Sequence, residues 1–172
     1  MICHAIVLKN YVPCKNKVIL LHERFGKITI FVQEKDLAAR LCNGALIFCH
    51  IVKKQNSNKY TIDFIDPYFI PQSDFYFMHD ILKICLQFLP DEVGMVEVFN
   101  HIFDLYKKFD HLSGCQKKLS LLKLFLLVGI FPENKKLYQH VMQHQDLHAC
   151  QNDQLLAEGL SYCWNSEQQI NF

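Results

Sequence analysis

The chain has 172 residues, of which 51% are hydrophobic and 20% charged, a composition that excludes disorder and predicts a folded core. Its net charge of +1 conceals an asymmetry: ten basic residues oppose five acidic ones over residues 1–70, whereas eight oppose twelve over residues 71–172. The first part thus carries +5 and the second −4, so any contact with nucleic acid is expected in the first part. The alternative is that +5 is an ordinary solubilising charge for a small domain.

No targeting or membrane segment is predicted. His4 and Lys9 interrupt the apolar opening of the chain. The longest apolar run, residues 119–131, contains Lys123 and is shorter than the roughly 20 residues that span a bilayer. The eight cysteines include several in apolar stretches, where a thiol acts as a small hydrophobic group: Cys42, Cys49 and Cys85. We therefore expect a reduced, cytoplasmic protein without a membrane partner.

Residues 1–70 have the pattern of a β-domain. In residues 27–33, Ile28, Ile30 and Val32 alternate with Thr29 and Phe31, as in a strand whose two faces differ in surroundings. A helical insert is predicted at residues 34–41. The predicted strands cover residues 2–12, 18–23, 27–33, 45–52 and 60–65, the last closed by Pro67. Five strands with this insert predict a closed five-stranded barrel of the OB-fold type.

After Pro67 and Pro71 the hydrophobic period becomes helical, so residues 71–172 are predicted to form a second, all-helical domain. The first helix follows an N-cap at Ser73 or Asp74 and ends before Pro90. The third, residues 115–128, is apolar on nearly all sides, so residues 119–128 are expected to be the most buried segment. The remaining helices are predicted around residues 95–109, 136–148 and 153–163. The fold class is therefore α+β.

Several short motifs follow one another in a particular order. The first strand contains Ala5-Ile6-Val7-Leu8, and Gly26-Lys27 lies in the next hairpin. The helix after the barrel ends in Leu89-Pro90-Asp91-Glu92. Val98-Phe99 follows, and the apolar helix ends in Gly129-Ile130-Phe131-Pro132. In order and spacing, residues 2–135 resemble the RecO family of DNA repair and recombination mediators, although this chain is shorter after Pro132.

This resemblance implies an accessory protein and not an enzyme. Such a protein would bind single- and double-stranded DNA, promote strand annealing and help to load recombinase. Its partners would be DNA, a RecR-like protein and a single-strand-binding protein, and no cofactor is implied. The alternative is an OB-fold adaptor for protein interactions that has lost DNA binding. The mixed charge of residues 33–40 and the near-zero net charge favour that alternative.

The predicted DNA-binding residues are basic side chains of the barrel, which would displace condensed counterions from phosphates, and one aromatic ring that would stack on a base. We assume that the two turns before and after the second strand share one face and expose their side chains. The basic candidates are Lys9, Lys15, Lys17, Arg24, Lys27, Lys35, Arg40, Lys53 and Lys54. All of them except Lys9, together with Phe25, form the predicted contact set, and Tyr11 and Phe31 are further available rings.

The sequence also contains candidate residues for a zinc site and for a catalytic site. A row of imidazoles and two thiols in the last third has residue types that suit zinc: His140, His144, His148, Cys150 and Cys163. The paired Cys-x-x-Cys spacing of many RecO zinc sites does not occur, so we expect a polar helix face and no metal. Catalysis is not expected either. Cys3-His4 and Cys49-His50 are strand neighbours that point to opposite faces, and no P-loop or nucleophile-elbow motif occurs.

Overall fold

A computed structural model describes residues 2–11, 15–32, 41–53, 60–70, 72–143 and 153–166. Its first part is a closed five-stranded barrel in the order β1-β2-β3-β5-β4, which is the topology of an OB-fold-like barrel. The strands are β1 (Ile2–Asn10), β2 (Lys17–His22), β3 (Gly26–Phe31), β4 (Leu46–Lys53) and β5 (Tyr60–Phe69). The predicted fold class is confirmed. The predicted insert at residues 34–41 lies outside the described residues except for Leu41, which is buried.

The interior of the barrel is filled by the inward-pointing side chains of strands in which inward and outward residues alternate. Val18 and Leu20 of β2 and Ile28 and Ile30 of β3 are fully or almost fully buried in one cluster. Strand β5 runs through Pro67 to Phe69, so the prediction that Pro67 ends it is wrong. The β4–β5 register is irregular next to this proline, and a proline is tolerated where the ladder does not need its missing N–H group.

A β-bulge changes the alternation in β1. Val7 pairs with Leu20, but Lys9 pairs with Ile19, so Leu8 is an extra residue on this strand. Before the bulge, Val7 lies in the barrel core. After it, Lys9 faces the same side as Ile19, whose neighbours Val18 and Leu20 point inward. Because of the bulge, Lys9 points out of the barrel, whereas in a regular strand it would point inward like Val7.

The described residues contain five α-helices, of which two belong to the same compact unit as the barrel, Met1–Tyr106. They are α1 (Phe75–Phe88) and α2 (Val96–Tyr106). Asp74 caps α1 by accepting a hydrogen bond from the Phe77 N–H at 3.2 Å. The Tyr106 hydroxyl donates to the Gly44 carbonyl at 2.6 Å, which joins α2 to the barrel. The compact unit that contains the barrel ends at Tyr106.

We expect Tyr106→Phe to lower the free energy of unfolding by about 1–3 kcal/mol, because it leaves the buried Gly44 carbonyl without this donor. Urea denaturation followed by circular dichroism measures the change. Tyr138→Phe, at an exposed tyrosine, is the control and should change stability by less than about 0.5 kcal/mol. Equal midpoints for the two variants would contradict a structural role for the Tyr106 hydroxyl.

The second compact unit is Lys107–Phe172. Its α-helices are α3 (Gly114–Leu127), α4 (Lys135–Gln143) and α5 (Asp153–Ser166), preceded by a short 3-10 helix at Phe109–His111. Ser113 and Gln116 form a reciprocal capping box at the start of α3. The predicted burial of this helix is confirmed as far as Phe125, whose ring meets Trp164 edge-on at 5.0 Å, while residues 126–128 are half-buried.

The cysteines follow the prediction except at one position. Cys3, Cys42, Cys49, Cys85 and Cys163 are free. Cys115, the second residue of α3, is disulfide-bonded, so the prediction of reduced cysteines is wrong there. That prediction was drawn from cysteines in apolar stretches, whereas Cys115 lies at a polar helix start. No helix in the described part of the chain is long and apolar enough to cross a membrane.

Candidate nucleic-acid interface

The predicted DNA-binding residues fall at the two ends of β2. Lys15 and Lys17 lie where β1 turns into β2, and Arg24 and Lys27 lie at the β2–β3 hairpin. Because β2 has six residues, the two ends are on the order of 20 Å apart. The length of β2 therefore separates Lys15 and Lys17 from Arg24 and Lys27, and each end has its own surroundings.

The hairpin end is packed against the segment that joins α1 to α2. The Lys27 side chain, 12% exposed, donates to the Leu86 carbonyl at 3.1 Å and pairs with Asp91 at 3.3 Å. The Lys27 carbonyl in turn accepts a hydrogen bond from the Glu92 N–H at 2.8 Å. The expectation that Lys27 is exposed is wrong, because its charge is neutralised within the fold.

The other predicted residues at this end are also engaged. The Phe25 ring, 39% exposed, stacks on His22 at 4.7 Å and lies 5.7 Å from Tyr60. Lys53 lies 5.2 Å from the centre of the Tyr60 ring and 3.6 Å from a Glu92 carboxylate oxygen. The hydrogen bond to Tyr60, more than the charge of Glu92, raises the pKa of Lys53.

Arg24 is half exposed and lies 3.8 Å from the neighbouring Glu23 carboxylate. Glu23 also accepts a hydrogen bond from His4, whose Nδ1 is 3.0 Å from it. Burial alone would raise the pKa of the Glu23 carboxyl, but the hydrogen bonds from His4 and Cys3 lower it. The hairpin end therefore carries little uncompensated positive charge.

The opposite end of β2 has a different character. Tyr11 pairs with Lys17, since the Tyr11 N–H donates to the Lys17 carbonyl at 3.0 Å, and Lys17 is paired with Phe31 of β3. Directly opposed residues of antiparallel strands project from the same face. Tyr11, Lys17 and Phe31 thus form one row across three strands, with the two rings attached about 10 Å apart.

Lysines surround this row. The Lys9 ammonium lies 5.0 Å and the Lys17 ammonium 5.7 Å from the centre of the Tyr11 ring. Lys15 is exposed in the adjoining turn. Within the described ranges, no ion pair joins Lys9, Lys15 or Lys17 to a carboxylate. We call Lys9, Tyr11, Lys15, Lys17 and Phe31 the lysine-aromatic face.

This face was only partly found from sequence. Lys15 and Lys17 are predicted contacts, whereas Lys9 is a basic candidate outside the predicted contact set, and Tyr11 and Phe31 are only available rings. The bulge at Leu8 is the missing signal, because without it Lys9 and Tyr11 would have the inward phase of Val7. Three predicted residues, Lys35, Arg40 and Lys54, lie outside the described residues.

The candidate zinc ligands do not form a cluster within the described part of the chain. Cys163 is buried in α5, and its thiol donates to the Ile130 carbonyl at 3.7 Å. His140 lies in α4, while His144, His148 and Cys150 are outside the described ranges. No group of three or more potential metal ligands is found in the described residues.

The fold and face together define an OB-fold-like barrel with a cationic, aromatic outer surface on β2 and β3. In OB folds generally, this surface and the loops beside it bind oligonucleotides and oligosaccharides. No protein-family model matches the chain, and no curated protein is found as a relative.

Proposed function

We propose that this protein is a DNA-binding accessory of repair and recombination, similar to RecO, whose barrel holds a strand on the lysine-aromatic face. It acts by binding and scaffolding, with no bond made or broken. The exposed ring of Phe31 and the half-buried ring of Tyr11, separated by a lysine, are suited to a single strand, because every base has a face that stacks on an aromatic ring. The observation that carries the proposal is the row of Tyr11, Lys17 and Phe31 with Lys9 beside it.

The charges in this row are suited to a phosphate backbone. Lysines without a carboxylate partner release counterions when they meet phosphates, so binding should be independent of sequence and sensitive to salt. Contacts to the backbone are also compatible with double-stranded DNA, which has no unstacked bases for the rings. We propose that the RecR-like and single-strand-binding partners implied by the resemblance act on this complex during annealing and recombinase loading.

We expect the purified protein to bind an unstructured oligonucleotide, with Lys17→Ala weakening binding and shallowing the slope of log affinity against log salt by about 0.7. Phe31→Ala should weaken binding by ~1–3 kcal/mol, with little change in that slope, because it removes stacking and no charge. Fluorescence anisotropy at several salt concentrations measures both quantities, and circular dichroism checks that the variants are folded.

Matched controls separate these effects from general changes in charge or surface. Lys136→Ala removes one lysine from the exposed side of α4, and Tyr162→Ala removes an exposed ring from α5. Both should bind like the wild type. If Lys17→Ala and Phe31→Ala also bind like the wild type, the contact surface lies elsewhere. Absence of any binding at low salt would contradict the proposal.

The second candidate is a protein-interaction adaptor with the same fold. It is favoured by the pairing of Lys27 with Asp91 and Lys53 with Glu92, which compensates the charge of two predicted contact residues. It is also favoured by the highly exposed rings of Phe75 and Tyr76 at the start of α1. If the wild-type protein does not bind DNA but binds another repair protein, and Tyr76→Ser abolishes that binding, the adaptor function is supported.

A further inference from the structure

A groove of about 410 Å³ lies beside the lysine-aromatic face, between the end of β1 and the outer side of α1. Its apolar wall is formed by Leu8, Leu82 and Leu86, and its polar rim includes Lys9 and Lys83. The volume is within the range of sites that bind small ligands, which are typically apolar with a few polar groups that fix orientation.

Lys9 belongs to both features. Its ammonium lies 5.0 Å from the centre of the Tyr11 ring, and its side chain also lines the groove. The bulge explains this position, since it gives Leu8 and Lys9 neighbouring places at the edge of the groove. Lys9 therefore connects the Tyr11 ring to the groove.

We propose that this groove is a nucleotide-binding subsite that continues the strand path from the lysine-aromatic face. Leu86 offers an apolar surface to one unstacked base and its sugar, beside the almost fully buried Leu8 and Leu82. Lys9 and Lys83 bind the phosphates on either side of it. The inference rests on the proposed function and adds to it a defined path for the strand, from the β2–β3 surface across the end of β1 to α1.

The remaining polar groups at the groove agree with this assignment. Asn43, whose Oδ1 accepts from the Asn10 N–H at 2.7 Å, and Gln87 provide amide N–H groups that can donate to phosphate or base oxygens. His79 also lines the groove, but its Nδ1 lies 4.0 Å from the Asp80 carboxylate, so we assign it no phosphate. Lys9 and Lys83 provide the positive charge of the subsite, and the charge of Lys83 also acts on Asp80, whose pKa is raised by burial against the lowering effect of Lys83.

A length series of oligothymidylates tests the subsite. The probes are about 4 and about 16 nucleotides long, the limits of the site size of one OB fold. Lys83→Ala should weaken binding of the long probe roughly three- to tenfold at about 50 mM salt and shallow its salt slope by about 0.7. It should leave the short probe, which the lysine-aromatic face holds alone, nearly unchanged. Lys17→Ala should weaken both probes.

A second variant blocks the groove without removing charge. Gln87→Trp, at an exposed position on the rim, should weaken the long probe and leave the short probe nearly unchanged. Lys136→Ala on α4 is the charge control for Lys83→Ala. Circular dichroism confirms that each variant is folded before its affinity is compared.

The outcomes distinguish the subsite from the proposed function. If Lys17→Ala weakens binding while Lys83→Ala and Gln87→Trp match the control, the subsite is refuted and the proposed function stands. If Lys83→Ala weakens binding but Lys17→Ala does not, the subsite is also refuted, because it is proposed as a continuation of that face. If the wild type binds neither probe, both proposals fall.

Discussion

Gly26→Ala is expected to lower the free energy of unfolding of the first compact unit by about 3–5 kcal/mol. Gly26 has φ +69°, a left-handed conformation that costs a residue with a side chain about 1–3 kcal/mol. A Cβ there would also lie 1.7 Å from the Val93 carbonyl oxygen, which is a backbone atom that cannot rotate away. Either the hairpin or the segment after α1 must then move, at an overpacking cost of about 1–3 kcal/mol.

Gly129→Ala provides a matched control for this prediction. Gly129 has φ +81°, but no atom lies within 4 Å of the position of its Cβ, so only the conformational cost of about 1–2 kcal/mol applies. Urea denaturation with a fluorescence or circular dichroism signal compares both variants with the wild type. Equal losses for Gly26→Ala and Gly129→Ala would show that the approach of Val93 to the hairpin contributes nothing to stability.

The second large effect is a loss of stability in mild acid, caused by His22. Burial, with a smaller contribution from the charge of Arg24, lowers the pKa of this histidine from 6.5 to about 4 against the opposing charge of Glu23. Its Nδ1 accepts hydrogen bonds from the N–H groups of Arg24 at 3.1 Å and Phe25 at 3.3 Å, which also requires the neutral ring. The folded protein therefore keeps His22 uncharged.

The direction of the change in stability with pH follows from proton uptake by the unfolded chain. Between pH 6.5 and about 4 the unfolded chain binds a proton at this position and the folded chain does not, so unfolding is favoured as the pH falls. The contribution is fully present above pH 6.5 and falls by about 3 kcal/mol on acidification to the folded pKa. Urea denaturation at a series of pH values between 7.5 and 4 is expected to show this slope.

His22→Asn tests the assignment, because the Asn oxygen can accept the same backbone N–H groups but does not titrate. This variant should be less stable at neutral pH and show a much flatter dependence on pH. His79→Asn, at an exposed histidine of α1, should retain the wild-type slope. The explanation would fail if His22→Asn retained the full slope.

The barrel could be predicted from sequence because its strands carry period-two alternation and because turns separate them. Ile28 and Ile30 are buried as that alternation requires, and α3 is buried where its residues are apolar on all sides. These signals are local, and a strand or helix buries its apolar side whichever element covers it. The hydrogen bond from Tyr106 to Gly44, by contrast, joins residues 62 positions apart, and no local pattern predicts it.

The candidate site was less predictable because it depends on pairings between distant residues. The sequence identifies Lys27 as a basic residue in a turn, but not that Leu86 and Asp91 bind its ammonium group. Likewise, no local sequence pattern predicts that Lys17 lies between two rings, because that position depends on the registers of three neighbouring segments. Turn position predicts exposure only when no later segment returns to cover the turn.

Because of the extra residue in β1, the side chains that reach the barrel surface depend on the number of residues in the strand as well as on their identity. Removing the single codon for Leu8 would leave every charge of the barrel in the gene, yet the ladder of β1 with β2 would run without interruption and turn Lys9 and Tyr11 toward the interior. Barrels of this shape can therefore gain or lose a polar ligand surface by a one-residue insertion or deletion. No substitution at the surface itself is needed for such a change.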